Sequence, residues 1–168
     1  MEWRYSGAQV GKSGIWWNKV FRGVTNLSLD SKGRLTMPTR HRAGFAADQD
    51  ALVMTIDAQA TCLSLYPLST WLAIERQIDA LPSLDPEAVR IKRMLIGHAT
   101  DLALDTAGRI LVPPELRQYA GLEKDAVLLG QGKKLELWSQ ANWAEQTLAF
   151  SQSAKSGVLP AALAEIAL

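Results

Sequence analysis

The side chains best able to act on another molecule are cations gathered around one glycine. Lys32 and Arg34 flank Gly33, and Arg22, Arg40 and Arg42 lie nearby. Counting Lys19, residues 19–42 carry six cations against the single acid Asp30, a balance of +5 in a chain whose total is +1. Such local asymmetry is the electrostatic footprint of a nucleic-acid site. Each ammonium or guanidinium displaces condensed counterions from closely spaced phosphates, and arginine adds a planar fork that fits phosphate or the O6/N7 edge of guanine. Other chemistries find little support. His41 and His98 stand far apart with no cysteine or acid at ligand spacing, so no metal is expected. Cys62 is the only cysteine, which excludes an intramolecular disulfide, and nothing beside it marks a thiolate nucleophile. No set of nucleophile, base and oxyanion donors recurs, so neither an enzyme nor a cofactor is expected.

The segment that carries these cations occurs twice. Thr25 to Arg42 reads TNLSLDSKGRLTMPTRHR and Thr100 to Arg117 reads TDLALDTAGRILVPPELR, with eight identities in 18 positions: Thr25/Thr100, Leu27/Leu102, Leu29/Leu104, Asp30/Asp105, Gly33/Gly108, Arg34/Arg109, Pro38/Pro113 and Arg42/Arg117. A second echo pairs Leu63-Ser64-Leu65-Tyr66 and Trp71 with Leu135-Glu136-Leu137-Trp138 and Trp143.

Each copy is a series of short strands. Leu27, Leu29 and Leu102, Leu104 alternate with polar or small residues, as a half-buried strand requires. Asp30 to Gly33 and Asp105 to Gly108 reverse the chain, the aspartate bonding its own backbone and the glycine accepting positive φ. Return strands follow at Leu35–Met37 and Ile110–Val112, stopped by Pro38 and Pro113. Short helices are predicted at Thr39–Phe45 and Pro114–Ala120. Second hairpins pair Leu52–Asp57 with Cys62–Tyr66 and Ala126–Gly130 with Lys134–Trp138. Ser69 and Ser139 are predicted to cap amphipathic helices bearing Trp71, Leu72, Ile74 and Ile78, and Trp143, Leu148 and Phe150, with both tryptophans in the core. Asp85-Pro86-Glu87 starts a linking helix that runs to about Gly97. Residues 151–168 read as a polar linker and a weak helix after Pro160. Four short strands enclose too little by themselves, whereas two copies packed together could bury a core.

These motifs carry a family resemblance. Val20-Phe21-Arg22-Gly23, Leu29 to Leu35, Pro38-Thr39-Arg40-His41-Arg42, Leu65-Tyr66-Pro67-Leu68, Leu95-Ile96-Gly97-His98-Ala99 and Asp105 to Arg109 closely resemble the MraZ family, bacterial transcriptional regulators with AbrB-like swapped-hairpin halves. The resemblance covers about residues 20–150. It implies an α+β, mainly β fold of two tandem swapped-hairpin units with short flanking helices. It also implies a ring-shaped homo-oligomer that binds double-stranded DNA at direct promoter repeats and represses its own cell-division and cell-wall gene cluster. The expected organisation is an extension at 1–19, a first repeat at 20–68, linking helices at 69–97, a second repeat at 98–140 and a C-terminal helix and tail at 141–168. The family begins at Met-Phe-Arg-Gly where this chain has Val20, the residue an internally read GTG start codon encodes. Residues 1–19 are therefore expected to be translated leader sequence.

Within this frame Arg34 and Lys32 are expected at the centre of DNA contact, with Arg22, Arg40 and Arg42 as phosphate clamps; for Arg42, which like Arg117 is shared by both copies, a structural role is the alternative. Asp30, Gly33, Asp105, Gly108 and Arg109 are expected to serve the fold or the oligomer, and a pairing of Arg34 with Asp30 is the competing role for that arginine. The second copy has Ala107 in place of Lys32 and Glu115 in place of Arg40, and residues 96–119 balance to −1, so the first copy is expected to dominate. The alternative is a protein-interaction scaffold of the same fold without DNA. No apolar run reaches the ~18 residues that span a bilayer, and the chain is expected in the cytoplasm at the nucleoid.

Overall fold

The computed structural model describes residues 20–157 and Ile166. The leader expected at 1–19 lies outside these residues, as does nearly all of the tail after Pro160. The elements are β1 (Val24–Ser28), β2 (Arg34–Thr36), α1 (Thr39–Arg42), a 3-10 turn (Ala46–Asp48), β3 (Ala51–Ile56), β4 (Leu63–Pro67), α2 (Leu68–Asp79), α3 (Pro86–Leu95), β5 (Thr100–Ala103), β6 (Arg109–Leu111), α4 (Pro114–Tyr119), β7 (Asp125–Gln131), β8 (Lys134–Ser139) and α5 (Gln140–Lys155).

The Asp-x-x-Gly turns reverse the chain, yet the strands on either side of each turn do not pair with one another. β1 pairs antiparallel with β7 of the second repeat, β5 pairs with β3 of the first, and β2 pairs with β6. A six-stranded sheet of order β1-β7-β8-β4-β3-β5 results, with β2 and β6 as a separate ribbon. An isolated hairpin is marginal in water. Here each repeat's hairpin, β3–β4 or β7–β8, gains its outer strand from the other repeat. The exchange is two-fold in character: Leu63 faces Leu137, Leu65 faces Leu135, and Ser64 faces Glu136 at the centre of the sheet. In the ribbon Leu35 faces Ile110, again repeat equivalents.

Strand alternation sorts the side chains into layers. Leu52, Met54, Ile56, Leu63, Leu65, Leu128, Leu135 and Leu137 point inward and pack with Leu35 and Ile110 of the ribbon, Leu116 of α4 and Phe45. The opposite face is covered by helices. Trp71 and Ile78 of α2 seal Val53, while Trp143 of α5 packs on Trp138, Val127 and Cys62. Among the described residues no helix is long and apolar enough to cross a membrane.

Several local expectations are corrected. α2 starts at Leu68 directly after Pro67, and Ser69 does not cap it; its hydroxyl donates to Asp48 Oδ2 at 2.9 Å. Proline fixes the φ that begins the helix, leaving the serine free to bond elsewhere. By contrast Ser139 accepts from the Asn142 amide and Asp85 from that of Glu87, as caps. α5 continues to Lys155, through residues read as linker. Trp143 is only half-buried, and Leu148 and Phe150 are 59% and 74% exposed, so the outer turns of α5 leave the body of the protein. Cys62 sits just before β4 and is fully buried.

Candidate nucleic-acid interface

The two turns are built alike, from the aspartate outward. Asp30 Oδ1 accepts from the amides of Lys32 and Arg34, both at 2.9 Å, and Oδ2 accepts from Arg34 Nε at 2.7 Å. The Gly33 amide closes the turn onto Asp30 O at 2.9 Å, with Gly33 at φ +79°. In the second repeat Asp105 accepts from the amides of Ala107 and Arg109 and from Arg109 Nε, at 2.9, 2.8 and 2.9 Å. Arg34 and Arg109 are thus each folded back on their own aspartate through Nε. Lys32 is exposed at the tip and makes no ion pair among the described residues.

The Arg34 amide and guanidinium hold the Asp30 carboxyl down to about 2. Asp105 is lowered as well, chiefly by the Arg109 amide. A depressed carboxylate supports the turn fully above its unfolded value of 3.8, and that support is lost as pH falls through about 2. We therefore expect the Asp30 carboxyl carbon to titrate in NMR with a midpoint near 2, the Lys32 and Arg34 amides losing order in the same step. A midpoint near 3.8 would remove the carboxylate from the turn.

The five cations expected at one site do not form one patch. Lys32 and Arg34 lie at the turn after β1. Arg22 lies before the strand, roughly 20 Å away at ~3.3 Å per residue, where Phe21 bridges to Gly132. Arg40 joins that far end, its Nη2 bonded to Thr25 Oγ1 and its Nε to His41 Nε2 at 3.2 Å. His41 is buried against Phe21, and burial followed by the nearby Arg40 charge pushes it below the ordinary histidine range. Arg42 points elsewhere: Nε donates to Met37 O at 2.9 Å and the guanidinium lies against Gly108, beneath the second turn. On the outward face of the ribbon Arg34 stands opposite Leu111, and Thr36 opposite Arg109.

A further polar group was not anticipated from the sequence. On the helix-covered face of the sheet, Lys134 Nζ bonds Asp57 Oδ2, Glu136 Oε1 at 3.0 Å and Ser64 Oγ at 3.1 Å. Burial raises Asp57, but Lys134, the Gln59 amide and Ser64 outweigh it and hold the carboxyl low. Burial lowers Lys134, and its two carboxylate partners more than restore it. The donor atoms of Asp57, Cys62 and Glu136 lie within 4.8 Å of one another. The Lys134 ammonium already occupies an oxygen of each carboxylate, and burial with the nearby Glu136 charge pushes the Cys62 thiol up, so this donor set is poorly prepared for a metal. The one sequence signal is alternation in β8, which places Lys134 and Glu136 on a single face.

Comparison with known proteins decides the family. A family model described as "MraZ protein, putative antitoxin-like" matches twice in tandem, over residues 20–94 and 95–157. The chain belongs to the MraZ family. A transcriptional regulator MraZ of Marinomonas sp. is 52% identical over 128 residues, 76% of this chain and 85% of that protein. The one from Halorhodospira halophila is 49% identical over 152 residues, 89% of this chain and 100% of the relative. The one from Hydrogenovibrio crunogenus is 43% identical over 149 residues, covering 88% and 98%. The swapped tandem units are thus the architecture of an MraZ chain, with mainly antiparallel strands and short flanking helices.

Proposed function

We propose that this chain is a transcriptional regulator, not an enzyme, that binds double-stranded DNA at direct promoter repeats as a ring-shaped homo-oligomer, and that it represses its own cell-division and cell-wall operon in the cytoplasm at the nucleoid. The observation that carries the reading is the first turn. Asp30 and Gly33 fix its backbone, so Lys32 stands exposed on a preorganised loop with the Arg34 guanidinium beside it. Preorganisation lowers the ordering cost of binding, and a β-ribbon with cations at its end suits a groove lined by phosphates. Arg22 and Arg40, at the other end of β1, are placed to meet a second stretch of backbone. Membership of a family whose named relatives are transcriptional regulators supports the same reading. Exposed Leu148 and Phe150 on α5 support self-association, through which weak single contacts add up on repeated half-sites.

The test is a gel shift with DNA from directly upstream of the gene across a salt series. Wild-type affinity should fall steeply with salt, and Lys32→Ala should reduce the slope of log K against log salt by about 1. Arg34→Ala should abolish specific binding. Wild-type behaviour of both variants would leave an interaction scaffold as the better account.

A further inference from the structure

We propose that Arg117, in the second repeat, is a positioning residue for the basic turn of the first, and that Arg117 and Arg42 form a reciprocal brace holding both Asp-x-x-Gly turns as one unit. The functional half of this inference rests on the DNA-binding reading above.

A Cβ placed on Gly33 would stand 2.5 Å from Arg117 Cζ and 2.6 Å from Nη1. A Cβ on Gly108 would collide in the same way with the guanidinium of Arg42. Both glycines are buried although they belong to surface turns, and both have positive φ. Glycine is therefore demanded twice at each turn, by the backbone conformation and by the arginine of the opposite repeat. Backbone bonds follow the same crossing: Val112 N donates to Gly33 O at 3.0 Å and Met37 N to Gly108 O at 2.8 Å.

The two braces differ in one respect. Arg42 Nε has an acceptor in Met37 O, whereas Arg117 Nε is buried with no hydrogen-bond partner among the described residues. A buried orphan donor is unfavourable, and an apolar side chain of similar length relieves it. Fold stability by itself thus gives no reason for an arginine at position 117. Fixing the turn that presents Lys32 does.

The opposite signs of these two effects supply the test. Full-length Arg117→Met should keep or raise the unfolding midpoint while lowering affinity for the upstream duplex about tenfold. The slope of log K against log salt should not change, because no phosphate contact is removed. Exchange of the Gly33 and Arg34 amides should accelerate. A slope reduced by about 1 would make Arg117 a direct phosphate contact and overturn the brace. Unchanged exchange at Gly33 would also overturn it, and that measurement needs no DNA, so it holds even if wild-type protein fails to bind the duplex. Should Arg117→Met not fold, a double-mutant cycle decides. Adding Gly33→Ala to Arg117→Ala must shift the unfolding midpoint less than adding it to wild type, because the colliding guanidinium has gone; equal shifts overturn the proposal.

Discussion

Replacing Lys134 by methionine is expected to destabilise the chain by about 3–5 kcal/mol, the range found when one partner of a buried ion pair is removed. The ammonium bonds two carboxylates, and the side chains of Lys134, Asp57 and Glu136 are only 12%, 10% and 8% exposed. Without it Asp57 and Glu136 remain as uncompensated negative charges beneath the helices, with Cys62, Trp138 and Tyr66 for neighbours. They must then take up protons or draw in water. Urea unfolding at fixed protein concentration measures the change, as a lower midpoint at unchanged slope. Adding Asp57→Asn and Glu136→Gln to Lys134→Met should restore most of the loss, since burying no charge is often as good as burying a pair. A single-variant loss below about 1 kcal/mol would mean that solvent screens the cluster as it does a surface pair.

Gly130→Ala is expected to cost about 3–5 kcal/mol, the range of losing a buried phenylalanine. A Cβ at Gly130 would run into the backbone of Phe21 and Arg22, which crosses it closely. Backbone cannot swing aside as a flexible side chain does. The segment must lift, breaking the bonds from Phe21 N to Gly132 O at 2.7 Å and from Gly132 N to Phe21 O at 3.0 Å, and pulling Phe21 from its place against Phe45 and His41. Gly132→Ala and Gly121→Ala are the controls. Among the described residues nothing lies within 4 Å of a Cβ at either site, though both have positive φ, and the conformational penalty there should be about 1–2 kcal/mol. Amide exchange should place the Gly130→Ala damage at Phe21 and Gly132. Gly130 itself has no positive φ, so a loss there no larger than at the two controls would show that the crossing backbone accommodates the methyl group.

The contrast between Gly33 and Lys134 marks how far the sequence could be read. Asp-x-x-Gly-Arg announces a turn because all its partners lie within a few positions, and the bonds of Asp30 and Asp105 run only to residues two to four places on. Repetition of the motif revealed the tandem units. Alternation in β1 and β5 marked them as strands, but periodicity says nothing of a partner, and the family resemblance implied swapped hairpins without saying which strands exchange. The cluster of Lys134 stayed hidden because Asp57 lies 77 positions away, and no local pattern joins them. Arg42 shows the same limit within the candidate interface. Its charge suggested a phosphate clamp, while its position beneath Gly108 follows from packing between repeats. Phe150 stands seven positions from Trp143, on the same face of α5, yet it is 74% exposed, which helical periodicity does not reveal.

The exchange of strands bears on how the molecule comes into being at the ribosome. The N-terminal half emerges first, yet Val24 waits for Leu129, more than a hundred residues later, and the Gly33 turn waits for Arg117. Until then the first repeat has an open hairpin edge and no brace beneath its turn. Non-local pairing of this kind closes late and leaves unpaired strand exposed meanwhile. A polypeptide stalled halfway through translation therefore carries Lys32 and Arg34 without the scaffold that aims them, and the proposed DNA-contacting turn is complete only once the second repeat has followed.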